Sequence, residues 1–323
     1  MGRIVLAYSG GARSSAAVSW LVKTYGAEVV ALTMDIGQGG DLEEIRDRAL
    51  ALGARRAHVL DVREEFARQY LVAALKADAL YEGRRSRANL LSRPLIAQKL
   101  VEIAAIEQTD EVAHASRADD PQIGVATRAL NPAVNVLTLA SDVSFPVLSR
   151  VSDRAASPVK LPSSPKSPRD CPDEPALVDI TFSRGLATAI NGIAMPLVDL
   201  IGTLDILAGA HGVGKSDGLE SPAAIVLHVA HTDLQALTIT GEADTFSQNV
   251  SRQFAEIIER GSWFTPLRES LQAYVDRIQG DVSGVVRLEL FKGDCVIVDR
   301  RTALPGATAT SVHTLTFTGT AKA

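Results

Sequence analysis

The stretch "VLAYSGGARSS", residues 5–15, places two glycines among three serines where an apolar strand gives way to a helix starting around Ser14-Ser15. A glycine turn that opens a helix presents backbone N–H groups and the positive end of the helix dipole, an arrangement that binds phosphate. Ser9, Ser14 and Ser15 would add hydroxyl donors, and Arg13 a guanidinium able to pair with phosphate oxygens. The same residues also read as a tight strand-to-helix turn in which Gly10 and Gly11 serve sterics alone. Two further stretches invite chemistry. "GAHGVGKS", residues 209–216, fits the pattern GxxxxGK[ST] letter for letter. Its context does not fit: such a loop needs a strand before it and a helix opening at its Lys-Ser, whereas "LVDLIGTLDILA" reads as helix. His211, His228 and His231 form the only histidine cluster, and a metal pair on one helix is conceivable at the 228/231 spacing. No carboxylate or cysteine joins them at matching spacing, so ordinary packed histidines are expected and no metal site. No Ser/His/Asp order defines a catalytic residue.

The elements that must position this turn alternate strand and helix. "RIVLAY", "EVVALTMDIG", "RRAHVLDV", "EVAHAS" and "NVLTLAS" read as strands. Between them, "DLEEIRDRALALG" has Asp41 as N-cap and Gly53 as stop, "REEFARQYLVAALKADALY" reads as a longer helix, and "PLIAQKLVEIAAIEQ" carries Pro94 in its first turn. Strict alternation implies a parallel sheet with helices on both faces, and in such α/β sheets ligands bind at the carboxyl ends of the strands. The tract "SPVKLPSSPKSPRDCPDEP", residues 157–175, holds six prolines and breaks the pattern as a linker. Beyond it, "ALVDITFSRGLATAING" reads as a hairpin. Four helices follow, and "SGVVRLELFKGDCVIVDRR" turns back at Lys292-Gly293-Asp294. The expected division is 1–156, a nucleotide-binding α/β domain; 157–175, a linker; 176–301, an α+β domain; and 302–323, a poorly ordered Thr/Ala-rich tail.

Composition narrows the class. With 323 residues and 46% hydrophobic content the chain can bury two cores, and its net charge of −5 argues against general nucleic-acid binding. No apolar run is long enough for a membrane span, and residue 3 leads directly into a strand rather than a signal peptide. Cys171 and Cys295 make neither a disulfide framework nor a metal motif, which suits a cytoplasmic chain.

The segments "AYSGG", "MDIGQ", "YEGR", "RPLIAQKLVEIA", "AHGVGK", "PAAIVLH", "GSWFTPLRES" and "VSGVVRLELFKG" occur in the order found in argininosuccinate synthases, and the chain resembles that family to about Arg301. The resemblance implies an adenine nucleotide alpha hydrolase-like (PP-loop) parallel-sheet domain followed by an α+β synthetase and multimerisation domain, assembled as a homo-oligomer, a tetramer in the family. It implies ATP with Mg²⁺, citrulline and aspartate as ligands. The implied reaction is an AMP-forming ligation in arginine biosynthesis and the urea cycle, through an adenylated citrulline, with release of pyrophosphate. On this resemblance Ala7, Tyr8, Ser9, Gly10, Gly11, Arg13, Ser14, Ser15, Thr33 and Met34 make the nucleotide set. Arg85, Asn89, Asp120 and Gln122 fall in the substrate segments. The chain departs from the family pattern at these loops. Arg13 replaces an acid expected near the Mg²⁺-bound phosphates, and Arg85 replaces a tyrosine. The loop "HASRADDPQIGVATR" lacks the family's glycines and lysine, and Ser216–Pro222 closes a gap where a citrulline-contacting segment is expected. Three readings follow: a ligase of this family, a catalytically inactive homologue with a structural or regulatory role, and an amino-acid adenylating enzyme with a new acceptor read by Arg85 and Arg87.

Overall fold

The computed structural model describes residues 2–82, 85–117, 120–142, 145, 165–214 and 221–302. The chain forms two units that interleave in sequence: Met1–Phe66, Leu90–Leu161 and Ile257–Thr265 make the first, and Ala67–Asn89, Pro162–Glu256 and Pro266–Ala323 the second. Residues 67–89, placed by sequence with the nucleotide domain, therefore pack with the second unit.

In the first unit, β1 (Arg3–Ala7), β2 (Glu28–Asp35), β3 (Arg56–Asp61), β6 (Glu111–His114) and β7 (Asn135–Thr138) form one parallel sheet in the order β3-β2-β1-β6-β7. Near-continuous apolar strands suit a sheet buried on both faces. Ile4, Leu6, Val29 and Ala31 pack with Ala17, Val18 and Leu21 of α1 (Ala12–Tyr25) and with Ile45 and Ala49 of α2 (Leu42–Ala51). Val5, Val30, Leu32 and Val112 point the other way, onto Ala97, Leu100 and Ile103 of α4 (Ala88–Ile106) and Ile123 and Ala126 of α5 (Gln122–Leu130). Each buried Leu, Ile or Val side chain contributes about 1.5–3 kcal/mol, which fixes the sheet and its register.

Three boundaries differ from the sequence reading. Helix α1 starts at Ala12, two residues ahead of Ser14, because Gly11 already serves as its N-cap. The long helix after β3, α3 (residues 63–76), widens to a π-helical stretch at Phe66–Leu71, where Tyr70 and Leu71 are buried. Helix α4 runs through Pro94 rather than starting there; the lost hydrogen bond is tolerated where Leu91, Pro94 and Leu95 are all buried.

The second unit carries a short ribbon, β4 (Tyr81–Glu82) with β5 (Arg85–Ser86), and an antiparallel sheet in the order β10-β9-β8-β11-β12. These strands are β8 (Ala176–Ser183), β9 (Leu186–Ile190), β10 (Ile193–Ala194), β11 (Gly284–Phe291) and β12 (Asp294–Thr302). Lys292 and Gly293 both take positive φ at the β11–β12 turn, as a two-residue hairpin requires. The helices are α6 (Leu197–Ala210), α7 (Pro222–Thr238), α8 (Glu242–Arg260) and α9 (Pro266–Ile278). Helix α7 is capped by Ser221, which accepts from the Ala224 amide, while Asp205 accepts from Ser221 Oγ and the Ala223 amide.

Of the expected linker, residues 157–164 lie outside the described residues. Its remainder is held in the second unit by Lys166 N–H donating to Gly209 O (3.0 Å) and by buried Cys171. The expected tail, from residue 303 on, also lies outside the described residues, and β12 itself extends to Thr302. No described helix is long and apolar enough to cross a membrane.

The amino ends of the parallel strands converge on Glu107. Its buried carboxylate accepts from Arg56 (3.0 Å) and contacts His58 Nε2 (2.9 Å) and Arg3 (3.4 Å). Burial alone would raise this carboxyl; the hydrogen bonds from His58 and Arg56 outweigh it and hold it below the ordinary range. Its stabilisation is therefore complete above the usual carboxylate pKa and is lost as pH falls through the lowered value. Glu107→Gln is expected to cost roughly 1–3 kcal/mol in urea unfolding at pH 7, below the value for fully buried pairs because its partners are part-exposed. The loss should shrink below pH 4; a constant difference across pH would refute the ion-pair account.

Candidate functional site

Between β1 and β6 the strand order reverses, and the carboxyl ends of both strands open onto a cleft of about 390 Å³ within the first unit. This is the place where doubly wound sheets take ligands. The glycine turn forms one wall. Gly10 sits at φ +74°, and a Cβ there would lie 2.9 Å from Ile45 Cγ1, so both conformation and space demand glycine.

Side-chain hydroxyls hold the turn together. Ser14 Oγ donates to Gly11 O (3.1 Å) and accepts from the Ser9 amide (3.3 Å) and Ser9 Oγ (3.2 Å). One hydrogen and two lone pairs saturate that hydroxyl. Ser15 Oγ pairs with Tyr8 OH (3.1 Å), Thr33 Oγ1 donates to Tyr8 O (3.0 Å), and Arg48 donates to Gly10 O (3.1 Å). The serines expected as phosphate donors thus brace the turn from within. The first intrahelical bond of α1 runs from Ser15 N–H to Gly11 O (2.9 Å), leaving the amides ahead of it outside the helix's own ladder. The first turn of α1 contains no acidic residue and no side-chain cap.

Of the nucleotide set named from sequence, Ala7, Tyr8, Ser9, Gly11, Arg13, Ser14, Thr33 and Met34 line the cleft. Gly10 and Ser15 act behind it, through Ile45 and Tyr8. Arg13 Nη1 reaches the Ala115 carbonyl at 3.5 Å. The substrate set separates. Arg85 lies on β5 and Asn89 in the first turn of α4, both in the second unit. Asp120 Oδ2 pairs with Arg93 at 2.8 Å. Gln122 Nε2 donates to Glu259 O (2.8 Å), and Gly261 (φ +72°) lies so close that a Cβ would meet Gln122 Cα at 2.6 Å.

Sequence reasoning missed His114 and Arg93. Both line the cleft, His114 from the last position of β6 beside Ala7 of β1. Only the strand order, which the sequence does not spell out, brings "EVAHAS" next to the glycine turn. His114 is 1% exposed; its Nε2 contacts Thr138 Oγ1 (3.2 Å), and its buried Nδ1 has no partner. Burial, aided by Arg93 and opposed by Asp120, lowers its pKa to about 4, so the ring is neutral at pH 7.

The other sequence candidates resolve differently. Helix α6 runs directly into "GAHGVGKS" with no preceding strand, and the His211 carbonyl accepts from Gly293 N–H (2.7 Å) on the β11–β12 turn; Lys215 and Ser216 lie outside the described residues. His228 stacks on Tyr81 (4.6 Å between centroids) and His231 Nε2 meets Gln279 Oε1 (3.0 Å). Among the described residues no group of three His, Cys, Asp or Glu is placed to hold a metal.

A glycine turn and helix terminus at the switch point of a five-stranded parallel sheet define an α/β nucleotide-binding domain. The family model described as "Arginosuccinate synthase N-terminal HUP domain" matches residues 3–150, and "Arginosuccinate synthase C-terminal domain" matches 153–314. Argininosuccinate synthase of Rubrobacter xylanophilus is 36% identical, the match covering 92% of this chain and 85% of that one. That of Bacillus cereus strain Q1 is 34% identical over 93% and 87%. The chain belongs to the argininosuccinate synthase family.

Two outcomes test this geometry. Gly10→Ala should lower stability by roughly 1–3 kcal/mol, because alanine is strained at positive φ and its methyl group meets Ile45; a neutral result in urea unfolding would show that the turn relaxes. His114 gains its proton only on unfolding, so acid between pH 6.5 and 4 favours the unfolded chain. Between pH 7 and pH 5, His114→Gln should lose about 2 kcal/mol less stability than the wild type. Equal slopes would contradict a neutral, buried ring.

Proposed function

We propose that the chain is an ATP-dependent, AMP-forming carbon–nitrogen ligase of the argininosuccinate synthase type, joining citrulline to aspartate through an adenylated citrulline. The observation that carries this reading is the Gly10-Gly11 turn at the sheet's switch point, in a chain that matches the family across both of its models. In this reading the amides of the turn and of the start of α1, with Arg13, hold the phosphates. Thr33 and Met34 face the nucleoside, as cleft-lining residues at the end of β2. Arg85, Asn89, Asp120 and Gln122 belong to the amino-acid substrates, Asp120 and Gln122 only by exchanging the partners they now hold. The chain works in the cytoplasm as a homo-oligomer, a tetramer by family pattern, with the boundary near residue 156 separating its nucleotide and synthetase functions.

The cleft fits a polyphosphate, through a helix terminus without acid and a guanidinium beside it. It does not fit a protein-held Mg²⁺: none of its described lining residues is a carboxylate, and the Ser14 hydroxyl is saturated.

A second reading, a catalytically inactive homologue with a structural or regulatory role, draws support from the Asp120–Arg93 and Gln122–Glu259 pairs, which occupy the aspartate segment internally. AMP and pyrophosphate release from ATP separates the two, with citrulline and aspartate each omitted in turn. Release that requires both amino acids is the expected outcome. Absence of release from folded, ATP-binding protein would overturn the ligase reading in favour of the inactive one.

A further inference from the structure

The direction of one peptide decides whether the glycine turn attracts or repels an anion. The peptide between Gly10 and Gly11 is trans, so its C=O and N–H point opposite ways. Neither flanking residue has a Cβ, and rotating ψ of Gly10 together with φ of Gly11 turns the peptide over at little steric cost. Turned one way, it offers the Gly11 N–H to the cleft that Gly11 lines. Turned the other way, it offers the Gly10 carbonyl oxygen, whose partial charge opposes a phosphate.

Helix α2 settles the choice. Ile45 and Arg48, at i and i+3, lie on one face of it beneath the turn. Ile45 closes the space under Gly10, and Arg48 Nη1 donates to Gly10 O at 3.1 Å. The guanidinium is itself held from one turn back by Glu44, at 2.5 Å. Glu44 balances its charge, so Arg48 contributes direction to the turn rather than net charge. A carbonyl drawn towards α2 leaves the Gly11 N–H facing away from α2. Because that carbonyl accepts from a guanidinium, its peptide is polarised and the N–H becomes a stronger donor. Independently, His114 lines the same cleft, 1% exposed and with no partner for Nδ1 among the described residues, which marks a place for a ligand.

We propose that Arg48 is a positioning residue of the phosphate site, holding the Gly10–Gly11 peptide with its N–H towards a bound polyphosphate. The inference rests on the nucleotide reading above. Calorimetric titration of the full chain with ATP, and with adenosine by its displacement of ATP, tests it in Arg48→Met and Arg48→Lys, each checked for native circular dichroism. Arg48→Met keeps the stem and removes the donor. Its ATP affinity should fall by roughly tenfold, the worth of a charge-assisted hydrogen bond, while adenosine, which carries no phosphate, binds as to the wild type. Arg48→Lys retains a donor for the carbonyl and should bind ATP within about threefold of the wild type. Unchanged ATP affinity in Arg48→Met, equal losses for ATP and adenosine, or a loss in Arg48→Lys as deep as in Arg48→Met would overturn the positioning role and leave the nucleotide reading standing. No heat and no thermal shift with ATP in the wild type, with or without Mg²⁺, would overturn the nucleotide reading itself.

Discussion

The reversal of strand order between β1 and β6 is the constraint on which the first unit depends. Parallel strands need crossover connections, and right-handed crossovers place the helices of the two chain directions on opposite faces. Helices α1 and α2 cover one face, α4 and α5 the other, and where the direction changes no helix can fill the carboxyl edge. The cleft is that gap. Ala7 reaches it from β1, Thr33 from β2 and His114 from β6, residues far apart in sequence that share a position at or near the end of a strand. The opposite edge is closed, with Glu107 tying the beginnings of β1 and β3 through Arg3, Arg56 and His58. The sheet is pinned at the end away from the cleft and left open at the cleft.

Within the cleft, side-chain hydroxyls brace the glycine turn. The hydroxyls of Ser9, Ser14 and Ser15 and the phenol of Tyr8 make the turn rigid, and Arg48 secures Gly10 from outside. The guanidiniums of Arg13 and Arg93 and the neutral imidazole of His114 line the same cleft.

Much of the fold was legible because its signals are local. Strand–helix alternation gave the parallel sheet, the Lys292-Gly293 turn gave the last hairpin, and the passage from apolar strand through the glycine turn gave α1, placed at Ser14-Ser15, to within a turn. Boundaries set by tertiary packing were not. Pro94 marks a helix start by propensity, yet burial of Leu91 and Leu95 around it carries α4 one and a half turns further back. The π-helical widening at Phe66–Leu71 has no sequence mark beyond apolar residues that must reach the core. The site was half legible. The glycine turn reads from its letters, whereas His114 and Arg93 become site residues only through strand order, which a sequence pattern does not specify.

The same logic bears on the aspartate segment. Asp120 and Gln122 keep residue types that the family resemblance assigns to substrate, but here each is held inside its own unit. Opening Asp120 from Arg93 would expose a charged hydrogen bond worth about 1.5–3 kcal/mol, and releasing Gln122 from Glu259 O a neutral one worth about 1. An arriving zwitterion must supply at least that much before it contributes net affinity. A carboxylate substrate could do so at Arg93, since it would replace Asp120 as the guanidinium's partner in like geometry. No such exchange is available at Gln122, whose backbone is locked against Gly261. In this segment Asp120 thus holds an exchangeable partner, Arg93 of α4, while Gln122 serves as a structural staple.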